Sequence, residues 1–387
     1  MKSAPNSRIY LDHAATTPLR PEVAEAMRAA AAAAQYNPSS LHAEGRQARA
    51  VLDDARERVA GALGVARKEI VFTGSGTESD NLAVVGAVRA LGRKGRVVTT
   101  AIEHHAVLHA VERLRDEGFD VAVVPVEPDG RVDPARFARA CDAQTLLASV
   151  MYANNEIGTI APIAELAAIA RERGALFHTD AIQTPCWLPL EPRALGVDLL
   201  SISAHKFFGP KGVGALYVRE GVAVAPLTYG GGQELGLRSG TENVTGIAGL
   251  ARALELAIAE RPVRAPYAAR LRDRLEAGIL AGIDDVRIHG RPAPRLPHVA
   301  SVAFGGIASD ALLMRLDLEG IAVSAGSACT SGVLEASHVI AALRVPERWQ
   351  RSTLRFSLGP ATTEAEIDAT VRVLPKVVRD IRVLEGI

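Results

Sequence analysis

The sequence predicts an α/β fold with a mostly parallel seven-stranded sheet in a large domain, followed by a smaller α+β C-terminal domain. Three observations carry this prediction. Seven short stretches with strand character alternate with helix-period stretches up to about residue 240. Most of the seven are rich in Val, Ile or Leu, as strands buried on both faces are. Beyond about residue 240 the alternation stops and two helical stretches follow each other directly.

The elements follow in order. Pro21 suits the first turn of a helix, and the alanine run 29–34 continues it, because alanine is the best helix former. Strands are predicted at 70–72, 97–102, 121–124, 145–151, 175–178, 198–203 and 213–218. Helices between them include 78–93, 105–117 and 163–173, the last followed by Gly174, a common helix stop. Later helices are expected at 242–260 and 267–281, with the Pro/Arg-rich segment 261–266 as the seam between domains. Strands near 286–289 and 299–304 flank a loop at 290–297. A helix near 309–318 and a final one from 363 to about 384 complete the chain. The expected division is a large domain over 15–260 and a small one over 1–14 plus 261–387.

Composition bounds the function. In 387 residues, 44 Lys+Arg balance 44 Asp+Glu, so no bulk positive charge exists to bind nucleic acid directly. With 48% hydrophobic and 23% charged residues, the chain is neither disordered nor collagen-like. No apolar run reaches the roughly 18–20 residues of a membrane span. The start, Met1 to Arg8, is polar and lacks a secretory pattern. Cys141, Cys186 and Cys329 form no metal-like pair, which predicts a reducing, cytoplasmic compartment and no metal site.

Five strand ends carry polar or ionisable residues, and ligands of open α/β sheets bind at such ends. They are Thr73-Gly-Ser-Gly-Thr77; Glu103 and His104; Asn154-Asn155-Glu156; Asp180 and Gln183; and Ser203, His205 and Lys206. The turn through Gly76 and Thr77 is either a phosphate cradle of bare amides or an ordinary strand-to-helix turn. It is neither a dinucleotide fingerprint nor a Walker loop. His104 reads as a hydrogen-bonded core histidine or as an acid–base group. Asp180 and Gln183 read as a helix cap with a solvated amide, or as a carboxylate facing a protonated ring nitrogen. Lys206, beside Phe207 and Phe208, is a snorkelling lysine or a desolvated amine able to attack a carbonyl. Together a phosphate cradle, an acid, a stacking imidazole and an amine fit pyridoxal 5′-phosphate. Cys329 lies among small residues, Val323-Ser-Ala-Gly-Ser-Ala-Cys-Thr-Ser-Gly332, a setting that suits an accessible nucleophilic thiol better than a core cysteine.

The chain resembles the NifS/IscS-type cysteine desulfurases, pyridoxal-phosphate enzymes of the class V aminotransferase group, over nearly its whole length. The stretches that carry the resemblance include Tyr10-Leu-Asp-His-Ala-Ala-Thr-Thr-Pro18, Gly76-Thr-Glu-Ser-Asp-Asn81, Glu103-His104, Asn154-Asn-Glu-Ile-Gly158, Asp180-Ala-Ile-Gln183, Ser203-Ala-His-Lys206, Arg238-Ser-Gly-Thr-Glu-Asn243, Gly326-Ser-Ala-Cys329 and Leu354-Arg-Phe-Ser-Leu-Gly359.

The resemblance implies the pyridoxal-phosphate-dependent transferase fold of type I. It implies that Lys206 forms the Schiff base, His104 stacks on the ring and shuttles protons, Asp180 pairs with the ring nitrogen and Gln183 bonds the ring hydroxyl. Thr77, Ser203 and His205 would hold the phosphate, with Thr241 reaching in from the partner subunit of a homodimer. Asn155 and Arg355 would hold the substrate carboxylate, for which the planar guanidinium fork is suited. Cys329 would take sulfur from L-cysteine, leaving L-alanine and a persulfide for an iron–sulfur scaffold or another acceptor protein. Selenocysteine lyase, or another class V lyase or transaminase, is the alternative enzyme reading. A pyridoxal-phosphate-binding scaffold is the non-enzymatic one. Leu235 and Ala336 depart from the family pattern, which commonly has a basic residue and a proline there. The stop at Ile387 is short of the tail with which some members dock a scaffold.

Overall fold

Short apolar strands between amphipathic helices assemble into a seven-stranded sheet in the computed structural model, which describes residues 8–325 and 337–386. After a two-residue strand β1 (Ile9–Tyr10) come β2 (Ile70–Thr73), β3 (Arg96–Thr100), β4 (Asp120–Val124), β5 (Thr145–Ser149), β6 (Leu176–Asp180), β7 (Leu199–Ser203) and β8 (Gly214–Val218). The order across the sheet is β2-β8-β7-β6-β5-β3-β4. β8 is antiparallel to β2 and β7, and every other pair is parallel. β3 and β5 end two residues before their predicted ends. The Glu103 carboxylate there accepts the Met151 N–H at 3.0 Å, so a side chain replaces a neighbouring strand. β6 extends to Asp180, which is thus the last strand residue and not a helix cap.

The predicted seam at 261–266 is not a linker. One helix, Val244–Gly282, runs through it with Pro262 and Pro266 inside. Each proline removes one helical N–H, and their four-residue spacing puts both gaps on one face. Tertiary bonds hold the helix there: Arg261 Nη1 donates to the Leu188 carbonyl at 2.8 Å, Arg264 Nη1 to the Pro360 carbonyl at 2.9 Å, and Glu260 accepts from Arg20. The helix serves two cores. Leu250, Leu254 and Ala268 belong to the core of the large sheet; Leu271, Leu275 and Ile279 belong to a second core that also takes Leu11.

The second core rests on β9 (Val286–His289), β10 (Val299–Phe304) and β12 (Thr353–Ser357), an antiparallel sheet in the order β12-β10-β9, while β11 (Ile321–Ala322) pairs in parallel with β1. The helices Ser309–Leu318 and Glu364–Glu385 cover it, the latter capped by the Thr363–Glu366 box. β12 has no counterpart among the predicted strands, nor has the helix Ala43–Leu63 among the predicted helices. No described helix is long and apolar enough to cross a membrane.

One buried ion pair pins the loop around Leu235. Glu234 accepts from Arg56 Nη1 and Nη2 at 2.8 and 2.6 Å and from the Phe72 N–H at 2.8 Å, while Arg56 lies over the Phe72 ring. Leu235 itself is exposed with φ +61°. Glu234→Ala leaves Arg56 charged and buried, an expected loss of about 3–5 kcal/mol, readable as a lower denaturant midpoint.

Candidate active site

The carboxyl ends of β2, β3, β5, β6 and β7 open on one cavity of about 300 Å³, closed from the other side by Arg355 of β12 and by Ala14 and Ala15. At one end the turn after β2 starts the helix Gly76–Asn81, with Ser75 Oγ accepting the Glu78 N–H at 3.1 Å. Gly76 is required by packing: a Cβ there would sit 2.4 Å from Ile182 Cδ1 and 3.0 Å from Ser203 Cβ. Thr77, Ser203 and His205 line the same end. Burial and the Lys206 charge push His205 down to about 4, so its imidazole is neutral.

At the centre, Asp180 Oδ1 accepts the Ile182 N–H at 2.9 Å, and its other oxygen accepts no hydrogen bond among the described residues. Burial raises this carboxyl to about 6, against the opposing pull of that N–H and of Lys206. Behind it, His178 is buried and pushed down to about 3, and its ring nitrogens meet Ser149 Oγ and Ser201 Oγ at 2.8 and 3.0 Å. Lys206 Nζ donates to the carbonyls of Ala14 and Ala15 at 2.8 and 2.7 Å, and Gln183 Nε2 also donates to Ala14 at 2.8 Å. Residues just after β1 therefore orient both side chains. His104 Nδ1 accepts the Ala106 N–H at 3.1 Å, which puts the proton of the neutral ring on Nε2. Burial, then the Lys206 charge, lower its pKa to about 4.

At the far end Arg355 is buried. Its Nη1 donates to the Asn155 carbonyl and its Nη2 to Asp12 Oδ1, both at 2.9 Å, while its buried Nε–H has no partner among the described residues. A guanidinium held flat by two partners, lining the cavity with one N–H of Nη1 and one of Nη2 still to spare, is prepared for a further anion.

The cavity thus gathers Gly76, Thr77, His104, Asn155, Asp180, Gln183, Ser203, His205, Lys206 and Arg355 from the predicted set. Thr241 is exposed and does not line it. Cys329 lies outside the described residues, as does Ala336. Cys141 and Cys186 are buried, and burial pushes their thiols up to about 11 and about 12, so neither is a thiolate near neutral pH. Sequence reasoning missed His105 and His338 in the lining and Asp12 behind Arg355, and it placed Glu156 at a strand end without giving it a role. The adjacency of His105 to His104, and of Glu156 to Asn155, was the available signal for these two.

Glu103, beside His104, is fully buried and raised by burial to about 8, although the Thr100 hydroxyl and Met151 N–H bond its Oε1. The folded value lies above the ordinary 4.5, so the folded protein binds the extra proton; the stability linked to it is complete below about pH 4.5 and lost as pH rises through about 8. Glu103→Gln is expected to abolish this loss, seen as urea midpoints that no longer fall between about pH 4.5 and about pH 8.

The fold and the cavity define an α/β enzyme whose reactive side chains sit where the large sheet meets a small C-terminal sheet. The chain belongs to the aminotransferase class-V family, whose model matches residues 9–370. It is 46% identical over 377 residues to a curated relative called cysteine desulfurase IscS from Dictyoglomus turgidum, covering 97% of this chain and 96% of the relative. A protein of the same description from Methanosarcina thermophila is 45% identical, covering 98% and 94%. Among solved structures, a NifS-like protein superposes with a TM-score of 0.90 at 38% identity, covering 96% of this chain and all (100%) of that one. A structure described as SspA in complex with cysteine gives 0.80 at 35% identity, covering 92% and 100%.

Proposed function

We propose that the protein is a pyridoxal 5′-phosphate-dependent cysteine desulfurase, which converts L-cysteine to L-alanine and leaves the sulfur on Cys329 as a persulfide. The observation that carries this reading is the convergence of Lys206, Asp180, His104 and Arg355 on one cavity. The residues present fit the cofactor. Asp180 offers a ring nitrogen a buried carboxyl oxygen that takes no hydrogen bond among the described residues, and Gly76 keeps the wall open where a Cβ would collide. Thr77, Ser203 and His205 offer hydroxyl and imidazole groups to a phosphate, and Gln183 an amide to the ring hydroxyl. When bound, the cofactor supplies an electron sink for the carbanion formed next to the amino group.

The chain's own residues do the rest. Arg355 clamps the substrate carboxylate through the N–H groups left over from Asp12 and Asn155. Lys206 Nζ leaves the Ala14 and Ala15 carbonyls and moves the Cα proton. His104, kept neutral, donates from Nε2. The Cys329 thiolate attacks the substrate sulfur: its S–S bond forms as the Cβ–S bond breaks, and the Cβ carbon keeps the electron pair and is protonated to alanine.

Support for the substrate comes from the names of the relatives and from a structural neighbour described with cysteine bound. In the same reading Thr241 completes the phosphate site of the second subunit in a homodimer, and the persulfide passes to an iron–sulfur scaffold or another acceptor protein. The test is Cys329→Ala. Protein-bound persulfide is expected to disappear while cofactor absorbance stays; undiminished persulfide in this variant would remove Cys329 from the mechanism.

A further inference from the structure

Four histidines form a graded series beside the cavity. His104 is mostly buried within it, its ring 6.4 Å from that of His105. The His105 ring is 4.6 Å from that of His338 and 5.0 Å from that of His109, centre to centre. His105 and His338 also line the cavity, whereas His109 is exposed. His105 and His109 are one turn apart on the helix His105–Asp116 and so share a face. His338, from the helix His338–Ala342, donates its Nε2–H to the Glu103 carbonyl at 2.9 Å, which leaves Nδ1 as a proton acceptor. No group of three or more His, Cys, Asp or Glu among the described residues is arranged to hold a metal ion.

We propose that His105, flanked by His338 and His109, is a proton line that connects His104 to solvent. This rests on the desulfurase reading for its use, though not for its existence. The reaction R–SH + L-cysteine → L-alanine + R–S–SH balances without a net proton. Because the thiol attacks as a thiolate and the persulfide, a stronger acid than its parent thiol, stays ionised, each turnover releases one proton to solvent: R–SH → R–S⁻ + H⁺, then R–S⁻ + L-cysteine → L-alanine + R–S–S⁻. His104 cannot store it: burial and the charge of Lys206 hold the ring neutral, and its Nδ1 is occupied by the Ala106 N–H. The outward neighbour is in ring contact with two more imidazoles, one of them in water. The charged and titratable groups that face His105 are His338 and His109, which disfavour its cation, and Glu156 and Glu112, which favour it. Burial adds to the disfavour, so a proton on His105 is held weakly and moves on. In the proposed line a water bridges the wider His104–His105 step.

The experiment uses His105→Asn and, at the outer end, His109→Asn. In weak buffer, alanine formation from L-cysteine is expected to fall about tenfold or more and to recover when free imidazole is added, with cofactor absorbance and KM unchanged. In the cofactor-free protein, exchange of the His104 Nε2 proton with water, followed by nitrogen NMR, is expected to slow by a similar factor in His105→Asn. Unchanged exchange, or a loss of rate that imidazole does not restore, would overturn the proton line. A wild-type protein that forms no alanine would overturn the desulfurase reading, and the exchange comparison would still decide whether the line conducts.

Discussion

Lys206→Ala is expected to lower alanine formation from L-cysteine by at least about 10³-fold, because one amine serves as covalent anchor and as proton carrier. Its Nζ donates to the main-chain carbonyls of Ala14 and Ala15. Ala14 keeps the Gln183 donor in the variant, and water from the adjoining cavity can reach Ala15. Phosphate-end contacts should still retain some cofactor non-covalently. The check is the rate together with the absorbance of the cofactor. Loss of the lysine-bound absorbance without loss of rate would separate Lys206 from the chemistry.

Arg355→Leu carries the second large effect. Removing a buried, charge-assisted partner of a carboxylate costs roughly 2–5 kcal/mol, or about 400-fold in kcat/KM at the middle of that range. The loss should appear chiefly in KM, since the clamp acts on substrate and transition state alike. Arg355→Lys is not a rescue, because an ammonium is a point charge and cannot span the Asn155 carbonyl, Asp12 and a substrate carboxylate in one plane. Arg355→Leu also leaves the Asp12 carboxylate without its cation, so some loss of stability accompanies the loss of binding. A variant with unchanged KM would show that the carboxylate is held elsewhere.

Much of this site could be read in the sequence because an open parallel sheet concentrates chemistry at strand ends, and apolar runs of Val, Ile and Leu mark where strands stop. Lys206, Asp180 and His104 follow directly from that rule. β12 escaped it because a buried arginine interrupts the apolar run between Leu354 and Phe356. Arg355 could thus be placed by motif but not by pattern. Its partner Asp12 is 343 residues away, and no local periodicity encodes such a contact. The helical state of 261–266 was missed for a related reason. Prolines argue against a helix locally, yet Arg20 and the Leu188 and Pro360 carbonyls hold this one from outside. His338 carried no signal in the sequence; the Glu103 carbonyl, 235 residues away, and the His105 ring give it a place in the site.

The most direct test of the central claim is the alanine formed when purified protein is given L-cysteine, pyridoxal 5′-phosphate and a reductant. Alanine in molar excess over protein, with persulfide on the chain, is the predicted result. Absence of alanine from protein that has bound the cofactor would contradict it.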